Sequence, residues 1–165
     1  MGCIKMKLKK VWLMCGIPGS GKSTWIQKEI ANHGGVWCSR DAVRFSMLGD
    51  SDEYFAHEDE VFLQWIETIK EALQNPDVEN IYVDATHLND RSRNKVLNCL
   101  PKDNIDEIIN VVFQVPIHIA IERNEKREGR EKVPKSVIRR MFYSFQMPSE
   151  NRTIIINQKG EIVNE

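Results

Sequence analysis

The chain has 165 residues, 41% of them hydrophobic, which predicts one domain over residues 1–165 that buries roughly 70% of its unfolded surface. A formal net charge of −1 argues against a protein that coats nucleic acid without selectivity, but it leaves room for a local basic groove. There is no long uncharged apolar run, no signal-peptide pattern and no zinc or redox spacing among the four cysteines. We therefore expect a cytoplasmic protein with no membrane partner, in which Cys15 and Cys38 are buried thiols.

Short apolar runs alternate with helical patterns along the chain, which is typical of a parallel sheet covered by helices. The predicted strands are 11–15, 36–39, 81–84, 108–113 and 153–156. The predicted helices are 22–32, a short one after residue 40, 53–75, 89–100, one from residue 116 and one from residue 134. The sequence thus predicts an α/β fold of three layers, in which a mostly parallel five-stranded sheet has helices on both faces.

A glycine-rich loop with the pattern G-x-x-x-x-G-K-S-T lies between the first predicted strand and the first predicted helix. Glycines let such a loop turn tightly and bring backbone N–H groups close to phosphate oxygens, and the helix N-terminus adds its positive dipole. The pattern predicts a P-loop in which Lys22 reaches the β- and γ-phosphates of ATP and Ser23 ligates Mg²⁺. The predicted nucleotide-binding residues of this loop are Gly16, Pro18, Gly19, Ser20, Gly21, Lys22, Ser23 and Thr24.

Charged residues follow the second predicted strand, with Arg40 and Asp41 first and Arg44 one helical turn later. Ligands of open α/β sheets lie beyond the carboxyl ends of the strands, so these side chains are placed to meet a substrate. A carboxylate at position 41 can accept the proton of an attacking hydroxyl, and Arg44 can hold an anionic group of the acceptor. The alternative is an aspartate that caps a helix beside a surface arginine.

The predicted helix 53–75 has an apolar stripe at three- and four-residue spacing, which indicates a core-facing helix. The strand after it ends in Asp84, where P-loop proteins place an acid that holds Mg²⁺ directly or through water. A turn-forming aspartate is the alternative at this position. Thr86 and His87 are candidates for the acceptor side of the cleft, and a half-buried structural histidine is an equal alternative for His87.

A basic cluster follows at steps of three and four residues and consists of Arg123, Lys126, Arg127 and Arg130. It crosses the predicted end of a helix and enters a charged segment that contains Gly129. This composition favours a mobile lid over about 123–134 that closes over phosphates and supplies an arginine to the transferring group. A solvated basic face is the alternative.

Together these blocks resemble, in order and spacing, the 5′-kinase domain of phage and bacterial polynucleotide kinases. The Arg-Asp-x-x-Arg block at 40–44 and the Arg-Asn-x-Lys-Arg block at 123–127 are far more restrictive than the P-loop, which many families share. The blocks that match are 16–25, 40–44, 84–89, 113–116, 123–127 and 133–141. One departure from the family is an acidic stretch over 50–60, near the predicted acceptor side.

The resemblance implies a P-loop kinase that transfers the γ-phosphate of ATP to the 5′-OH end of single-stranded DNA or RNA, as in nucleic-acid end repair. It implies that Asp41 is the general base and that Arg44 clamps the neighbouring phosphate of the strand. Arg127 is implied to contact the transferring phosphate, and Arg123 is implied to help bind the nucleotide. ATP and Mg²⁺ are the implied cofactors.

Two other functions are compatible with the same residues. A small-metabolite or nucleoside kinase would use the same scaffold, and the near-neutral net charge favours it. A nucleotide-binding switch that transfers no phosphate would leave Asp41 and Arg44 without an acceptor to serve. The choice among DNA, RNA and transfer-RNA acceptors is open at this point, as is the oligomeric state.

Overall fold

A computed structural model describes residues 7–165 of the chain. This range contains six strands and six α-helices. Residues 1–6 of the predicted domain lie outside this range. The strands are β1 (Lys10–Cys15), β2 (Val36–Ser39), β3 (Asn80–Asp84), β4 (Glu107–Phe113), β5 (Arg152–Ile156) and β6 (Ile162–Asn164). The helices are α1 (Lys22–His33), α2 (Arg40–Met47), α3 (Glu58–Gln74), α4 (Asp90–Leu97), α5 (Ile117–Glu125) and α6 (Lys135–Ser144). Short 3₁₀ turns occupy Lys102–Asn104 and Gly129–Glu131.

The strands form one sheet in the order β2-β3-β1-β4-β5-β6, with β1 between β3 and β4. The five strands that the sequence predicts all form, and neighbouring members pair in parallel. The predicted count of five is wrong by one, because β6 pairs antiparallel with β5 at the sheet edge. All three residues of β6 are exposed, so this strand lacks the buried apolar run by which the others are recognised.

The sheet lies between two hydrophobic layers, because alternate residues of each strand point to opposite faces. Leu13 of β1 packs in the layer with α3 and α4, whereas its neighbour Met14 packs in the layer with α1. The apolar stripe of α3 is buried as predicted and consists of Phe62, Trp65, Ile66, Ile69 and Leu73. The three-layer α/β prediction is therefore confirmed. Across residues 7–165, every helix is too short or too polar to cross a lipid bilayer.

Helix α3 begins at Glu58 rather than at residue 53, which corrects the predicted boundary. The preceding residues form turns, in which the Asp52 carboxylate accepts a backbone N–H at 2.8 Å and the Tyr54 side chain hydrogen-bonds to Asp41. The first turn of α3 is acidic, which suits the positive end of the helix dipole. The local turn at Asp52 and the contact of Tyr54 with α2 therefore replace the helix that the sequence pattern predicts there.

Most other helix ends follow their sequence signals. Gly34 ends α1, and the side chain of Asn89 caps α4 by accepting a backbone N–H at 2.9 Å. Helix α4 ends at Leu97 rather than at residue 100, and the residues that follow it form turns. Pro116 and Pro134 directly precede α5 and α6. These two helices reach the glycine-rich loop through an apolar cluster of Ile17, Ala120 and Ile138.

Candidate active site

A cleft of about 1060 Å³ opens where β1, β2 and β3 end, which is where open α/β sheets bind ligands. Its walls come from the residues after these strands, from Tyr54, Phe55 and Glu58, and from residues 123–141. The charged residues that line it are the basic Lys22, Arg40, Arg44, Arg123, Arg127, Arg130 and Lys132 and the acidic Asp41, Glu58, Asp84 and Glu131. The cleft is thus positive in a chain whose formal net charge is −1. A positive cleft concentrates anionic ligands such as nucleotides.

The glycine-rich loop connects β1 to α1, and its backbone requires glycine at two positions. Gly19 has a φ of +80°, and a Cβ there would lie 2.3 Å from the carbonyl oxygen of Ala120 in α5. Gly21 has a φ of +98° and is the N-cap residue of α1. Both positions are in the left-handed region, which disfavours residues with side chains. Pro18, Ser23 and Thr24 also line the cleft, so the loop and the positive end of α1 face it, an arrangement that suits an anion.

The ammonium group of Lys22 lies within this loop. Its Nζ donates to the carbonyl oxygens of Gly16 and Ile17, both at 2.9 Å. An ammonium has three N–H donors, so one donor is left for a phosphate oxygen. Burial lowers the pKa of Lys22, while the Asp84 and Asp41 carboxylates raise it and Arg127 lowers it further. Asp84, Asp41 and Arg127 therefore lie close enough to Lys22 for their charges to act on its ammonium group.

Asp84 and Ser23 supply oxygen atoms to the cleft that suit Mg²⁺. The indole N–H of Trp37 donates to Asp84 Oδ2 at 3.0 Å and orients the carboxylate. Burial raises the pKa of Asp84, and the charge of Lys22 opposes that shift. Mg²⁺ prefers oxygen ligands and keeps several waters, so a carboxylate and a hydroxyl beside bound phosphates fit it. Within residues 7–165, no three His, Cys, Asp or Glu side chains gather into a metal cage.

Asp41 and Arg44 lie on one face of α2, and Arg44 Nη1 donates to Asp41 Oδ1. Arg44 also donates from Nε to Glu58 Oε1 and from Nη1 to the Tyr54 hydroxyl, both at 2.8 Å. The Arg44 side chain is only 5% exposed, whereas that of Asp41 is 60% exposed and lines the cleft. Ser39 is the N-cap residue of α2, so the alternative that Asp41 caps this helix is wrong. Arg44 is thus fixed by its bonds to Glu58 and Tyr54, whereas the Asp41 carboxylate remains exposed at the cleft.

Arg40, the first residue of α2, packs into the wall of the cleft. Its Nη2 donates to Glu58 Oε2 at 3.0 Å, and its guanidinium lies over the rings of Phe62 and Trp65 at 5.5 and 5.6 Å. Glu58 therefore bridges Arg40 and Arg44 through its two carboxylate oxygens. This carboxylate offsets part of the positive charge on the predicted acceptor side.

The side chain of Asn124 closes the base of the segment 124–133, which forms most of the predicted lid. Asn124 is fully buried, donates to the carbonyl oxygen of Val133 at 2.6 Å and accepts the N–H of Val133 at 2.9 Å. Arg127, within this segment, lines the cleft, and its backbone N–H donates to the carbonyl oxygen of Asn124 at 3.0 Å, but its side chain makes no hydrogen bond or ion pair within residues 7–165. Arg123 donates to the carbonyl oxygen of Gly19 at 3.4 Å and so contacts the P-loop directly.

Arg130 connects this segment to the opposite wall of the cleft. Its Nη2 donates to the carbonyl oxygens of Gly49, Asp50 and Asp52 at 2.7, 2.8 and 3.2 Å. These carbonyl groups belong to the turns between α2 and α3 that also carry Tyr54. The two walls are therefore in contact with each other through a single guanidinium.

The sequence matches the AAA domain family over residues 11–148, which is most of the chain. This chain belongs to the AAA domain family. Its P-loop, its parallel sheet and its central β1 are the parts that carry the nucleotide cleft described above.

Several solved kinase structures share the fold of this AAA domain. A gluconokinase from Sinorhizobium meliloti 1021 matches with a TM-score of 0.62 and 20% identity, over 92% of this chain and 83% of that chain. A sugar kinase from Janibacter sp. HTCC2649 matches with a TM-score of 0.61 and 19% identity, over 93% and 87% of the two chains. A chain of the Pnkp1/Rnl/Hen1 RNA repair complex matches with a TM-score of 0.69 and 25% identity, over 84% of this chain and 44% of that chain. The fold is therefore that of the P-loop kinases.

His87 is buried away from the cleft of this AAA domain, so of its two alternatives the structural histidine applies rather than contact with the acceptor, and the side chain is buried more fully than expected. It is 3% exposed, its Nδ1 lies 2.6 Å from the carbonyl oxygen of Met14, and its ring stacks on Trp65 at 5.8 Å. Its backbone has a φ of +43°, which lies in the left-handed region. The neighbouring Thr86 does line the cleft, and its carbonyl oxygen accepts the N–H of Gly16 at 2.9 Å.

The burial of His87 predicts a loss of stability in acid. Burial lowers the pKa of His87 to about 4 from its ordinary value of 6.5. Between these pH values the unfolded chain binds a proton that the folded chain does not, so stability falls as the pH drops through this window, by about 3 kcal/mol in full. His87→Asn, which tolerates a positive φ, is expected to flatten this part of the pH dependence of unfolding in urea. His118→Asn, at an exposed site on α5, is the matched control and should keep the original slope.

Three residues of the cleft wall, Tyr54, Phe55 and Glu58, are missed by the sequence patterns. The helical periodicity assigns all three to a helix over 53–75 and hides their contacts across the cleft. The available signal is compositional, because two adjacent aromatic residues interrupt an acidic stretch near the predicted acceptor side. Aromatic side chains beside an arginine pair indicate a packed wall rather than a solvated helix start.

Proposed function

We propose that this protein is an ATP-dependent kinase that transfers the γ-phosphate of ATP to the 5′-hydroxyl end of single-stranded DNA or RNA. The observation that carries the proposal is that Asp41, Lys22 and Arg127 line one cleft, where the charges of Asp41 and Arg127 both shift the pKa of Lys22. A base, a phosphate-binding lysine and a cation around one space are what phosphoryl transfer requires. The polynucleotide acceptor is supported by the motif resemblance and by the likeness to a chain of an RNA repair complex.

On the donor side, the backbone N–H groups of the P-loop and Lys22 bind the phosphates of ATP. Ser23 and Asp84 would hold Mg²⁺ beside these phosphates, and the ion would supply positive charge that offsets the negative charge of the phosphates. Arg127 contacts the transferring group, where charge develops in the transition state. Arg123, which donates to the carbonyl oxygen of Gly19 in the P-loop, helps to bind the nucleotide. Alignment and charge neutralisation supply most of the rate, because this transfer needs little covalent assistance.

On the acceptor side, Asp41 accepts the proton of the attacking 5′-hydroxyl while the hydroxyl oxygen bonds to the γ-phosphorus. Arg44 Nη2 makes no hydrogen bond with residues 7–165, so this nitrogen remains for the neighbouring phosphate of the strand. Phe55 is 66% exposed in the same wall and offers an apolar face to a nucleobase. The end of the nucleic-acid strand is thereby bound through its phosphate and its base, and its 5′-hydroxyl lies against Asp41.

A kinase for a sugar or another small hydroxyl compound is the second candidate. Glu58 pairs with both Arg40 and Arg44, and Asp41 pairs with Arg44, so the charges on the acceptor side are balanced. A balanced pocket attracts a polyanionic strand less than a free arginine pair would. The match also covers 83% of the gluconokinase chain but only 44% of the RNA repair chain.

A transfer screen with γ-labelled ATP separates these candidates. The acceptors are 5′-OH DNA and RNA oligonucleotides, nucleoside 3′-monophosphates, nucleosides, gluconate and neutral hexoses, each with Mg²⁺. Label on the oligonucleotides, and little on the nucleosides and sugars, is the expected result. Label confined to sugars or nucleosides would replace the proposal with the second candidate. Release of labelled phosphate with every acceptor left unlabelled would instead indicate a nucleotide-binding switch.

Arg130→Ala is expected to raise the KM for the acceptor by about 3–10-fold while the KM for ATP changes little. The substitution removes all three bonds from Arg130 to the turns that carry Tyr54, so the acceptor wall loses its support. The effect is modest because these bonds are exposed to solvent. Steady-state kinetics with each substrate varied in turn measures it. Arg139→Ala, at an exposed site on α6 outside the cleft lining, is the control, and equal changes in both variants would contradict the assignment.

A further inference from the structure

Tyr54 contacts the proposed base, although it belongs to none of the matching motifs. Its hydroxyl lies 2.7 Å from Asp41 Oδ1 and 2.8 Å from Arg44 Nη1. Its ring lies 4.3 Å from the Arg44 guanidinium and contacts the rings of Phe45 and Phe55 at 6.1 and 4.7 Å between centroids. Burial, and then the hydrogen bond to Asp41, raise the pKa of Tyr54 far above its ordinary value. The phenol therefore stays protonated and donates, in a position fixed by the packing of its ring.

Both hydrogen bonds to the Asp41 carboxylate go to the same oxygen atom. Arg44 Nη1 and the Tyr54 hydroxyl donate to Oδ1, whereas Oδ2 accepts no hydrogen bond from residues 7–165. The side chain remains 60% exposed at the cleft. Two donors fix the orientation of the carboxylate and occupy the lone pairs of Oδ1, while the lone pairs of Oδ2 stay available to a substrate.

We propose that Tyr54 is a positioning residue, which anchors Oδ1 of Asp41 so that Oδ2 is the oxygen that takes the proton of the acceptor hydroxyl. This inference rests on the proposed function, because it assigns a role within the same site. In the transfer, the acceptor O–H bond breaks and its proton moves to Oδ2. The acceptor oxygen bonds to the γ-phosphorus, the bond from that phosphorus to the bridging oxygen breaks, and ADP leaves.

Charged groups from several elements surround Asp41, and a test must leave them in place. They are Arg44 of α2, Glu58 of α3 acting through Arg44, Lys22 of the P-loop and Asp84 of β3. Tyr54→Phe removes one donor from the carboxylate without altering any of these charges. It also keeps the ring on Arg44, so the variant is expected to fold, as a thermal melt will verify.

The first measurement is independent of the acceptor. Carbon-13 NMR follows the carboxyl carbon of Asp41 through a pH titration, with the signal assigned by its loss in Asp41→Asn. In Tyr54→Phe the titration midpoint is expected to rise by about 0.5–1 pH unit, because a lost donor makes the charged carboxylate less favourable. The control is Tyr143→Phe, which removes the hydroxyl of a side chain in α6 that is 79% exposed and should leave the midpoint in place.

The second measurement is the pH profile of transfer to the acceptor found in the screen. Tyr54→Phe is expected to lower kcat roughly 10-fold, to shift the acid limb of the profile upward with the NMR midpoint and to leave the KM for ATP unchanged. A midpoint that does not move, or a kcat loss with an unshifted acid limb, would overturn the positioning role. A midpoint that moves while no oligonucleotide is labelled supports the anchoring of Asp41 and rejects only the polynucleotide acceptor.

Discussion

Asp41→Asn is expected to lower kcat for transfer by about 10²–10⁴-fold, the range for loss of a general base. The amide keeps the shape of the carboxylate and still accepts the bond from Tyr54, but it cannot take the proton of an attacking hydroxyl. The affinity for ATP should change little, because Asp41 lies on α2, whereas the phosphates bind at the P-loop. Initial rates with γ-labelled ATP at saturating acceptor measure kcat, and calorimetry measures ATP binding.

The control for this variant is Asp59→Asn, which removes an exposed carboxylate in the first turn of α3, outside the cleft lining. It should keep the rate of the unchanged protein. Normal turnover in Asp41→Asn would contradict the assignment of the base, whatever the acceptor. A loss of ATP affinity as large as the loss of rate would place Asp41 on the donor side instead.

The parallel strands and the P-loop could be predicted because their signals are local. A buried strand needs a short apolar run, and the loop needs glycine where a side chain would meet the backbone of α5, as at Gly19. The positions of Asp41 and Asp84 follow from the same rule, since polar residues that end parallel strands meet at one edge of the sheet. The acids, Lys22 and Arg127 do line one cleft.

The acceptor wall could not be predicted because its contacts join residues that are distant in sequence. Tyr54 bonds to Asp41 and Glu58 bonds to Arg44, and both contacts cross from one element to another. Helical periodicity carries no information about such contacts, so it predicts a start for α3 that lies too early in the chain. The sequence leaves His87 open between the cleft and the core for a related reason, because its contacts with Met14 and Trp65 also join residues that are distant in sequence.

The two halves of the cleft differ in how their cations are used. On the acceptor side, Glu58 and Asp41 pair with Arg40 and Arg44, so the positive charge there is already engaged. Near the P-loop, Arg127 has no pairing partner within residues 7–165. We therefore expect Arg127 to meet the charge that develops on a transferring phosphate, because its side chain has no hydrogen bond or ion pair within residues 7–165 to give up.

Arg127→Ala is expected to lower kcat by about 10³-fold, near the lower end of the effect of arginines that contact a transferring phosphate. The reason is that Arg127 lines the cleft beside Lys22 and Asp84, where its charge acts on both groups. Binding of ATP should weaken much less, because Lys22 and the loop backbone still hold the phosphates. Single-turnover transfer from labelled ATP separates the chemical step from product release.

Arg127→Lys tests whether charge alone is sufficient at this position. A lysine is a point charge without the planar fork of a guanidinium, so it should restore only part of the lost rate. Arg140→Ala, at an exposed site on α6 outside the cleft lining, is the matched control and should keep full activity. If Arg127→Ala and Arg140→Ala lost rate equally, the effect would come from the general positive field of this surface. If Arg127→Ala kept full rate, the transferring phosphate would have to be stabilised by another cation of the cleft.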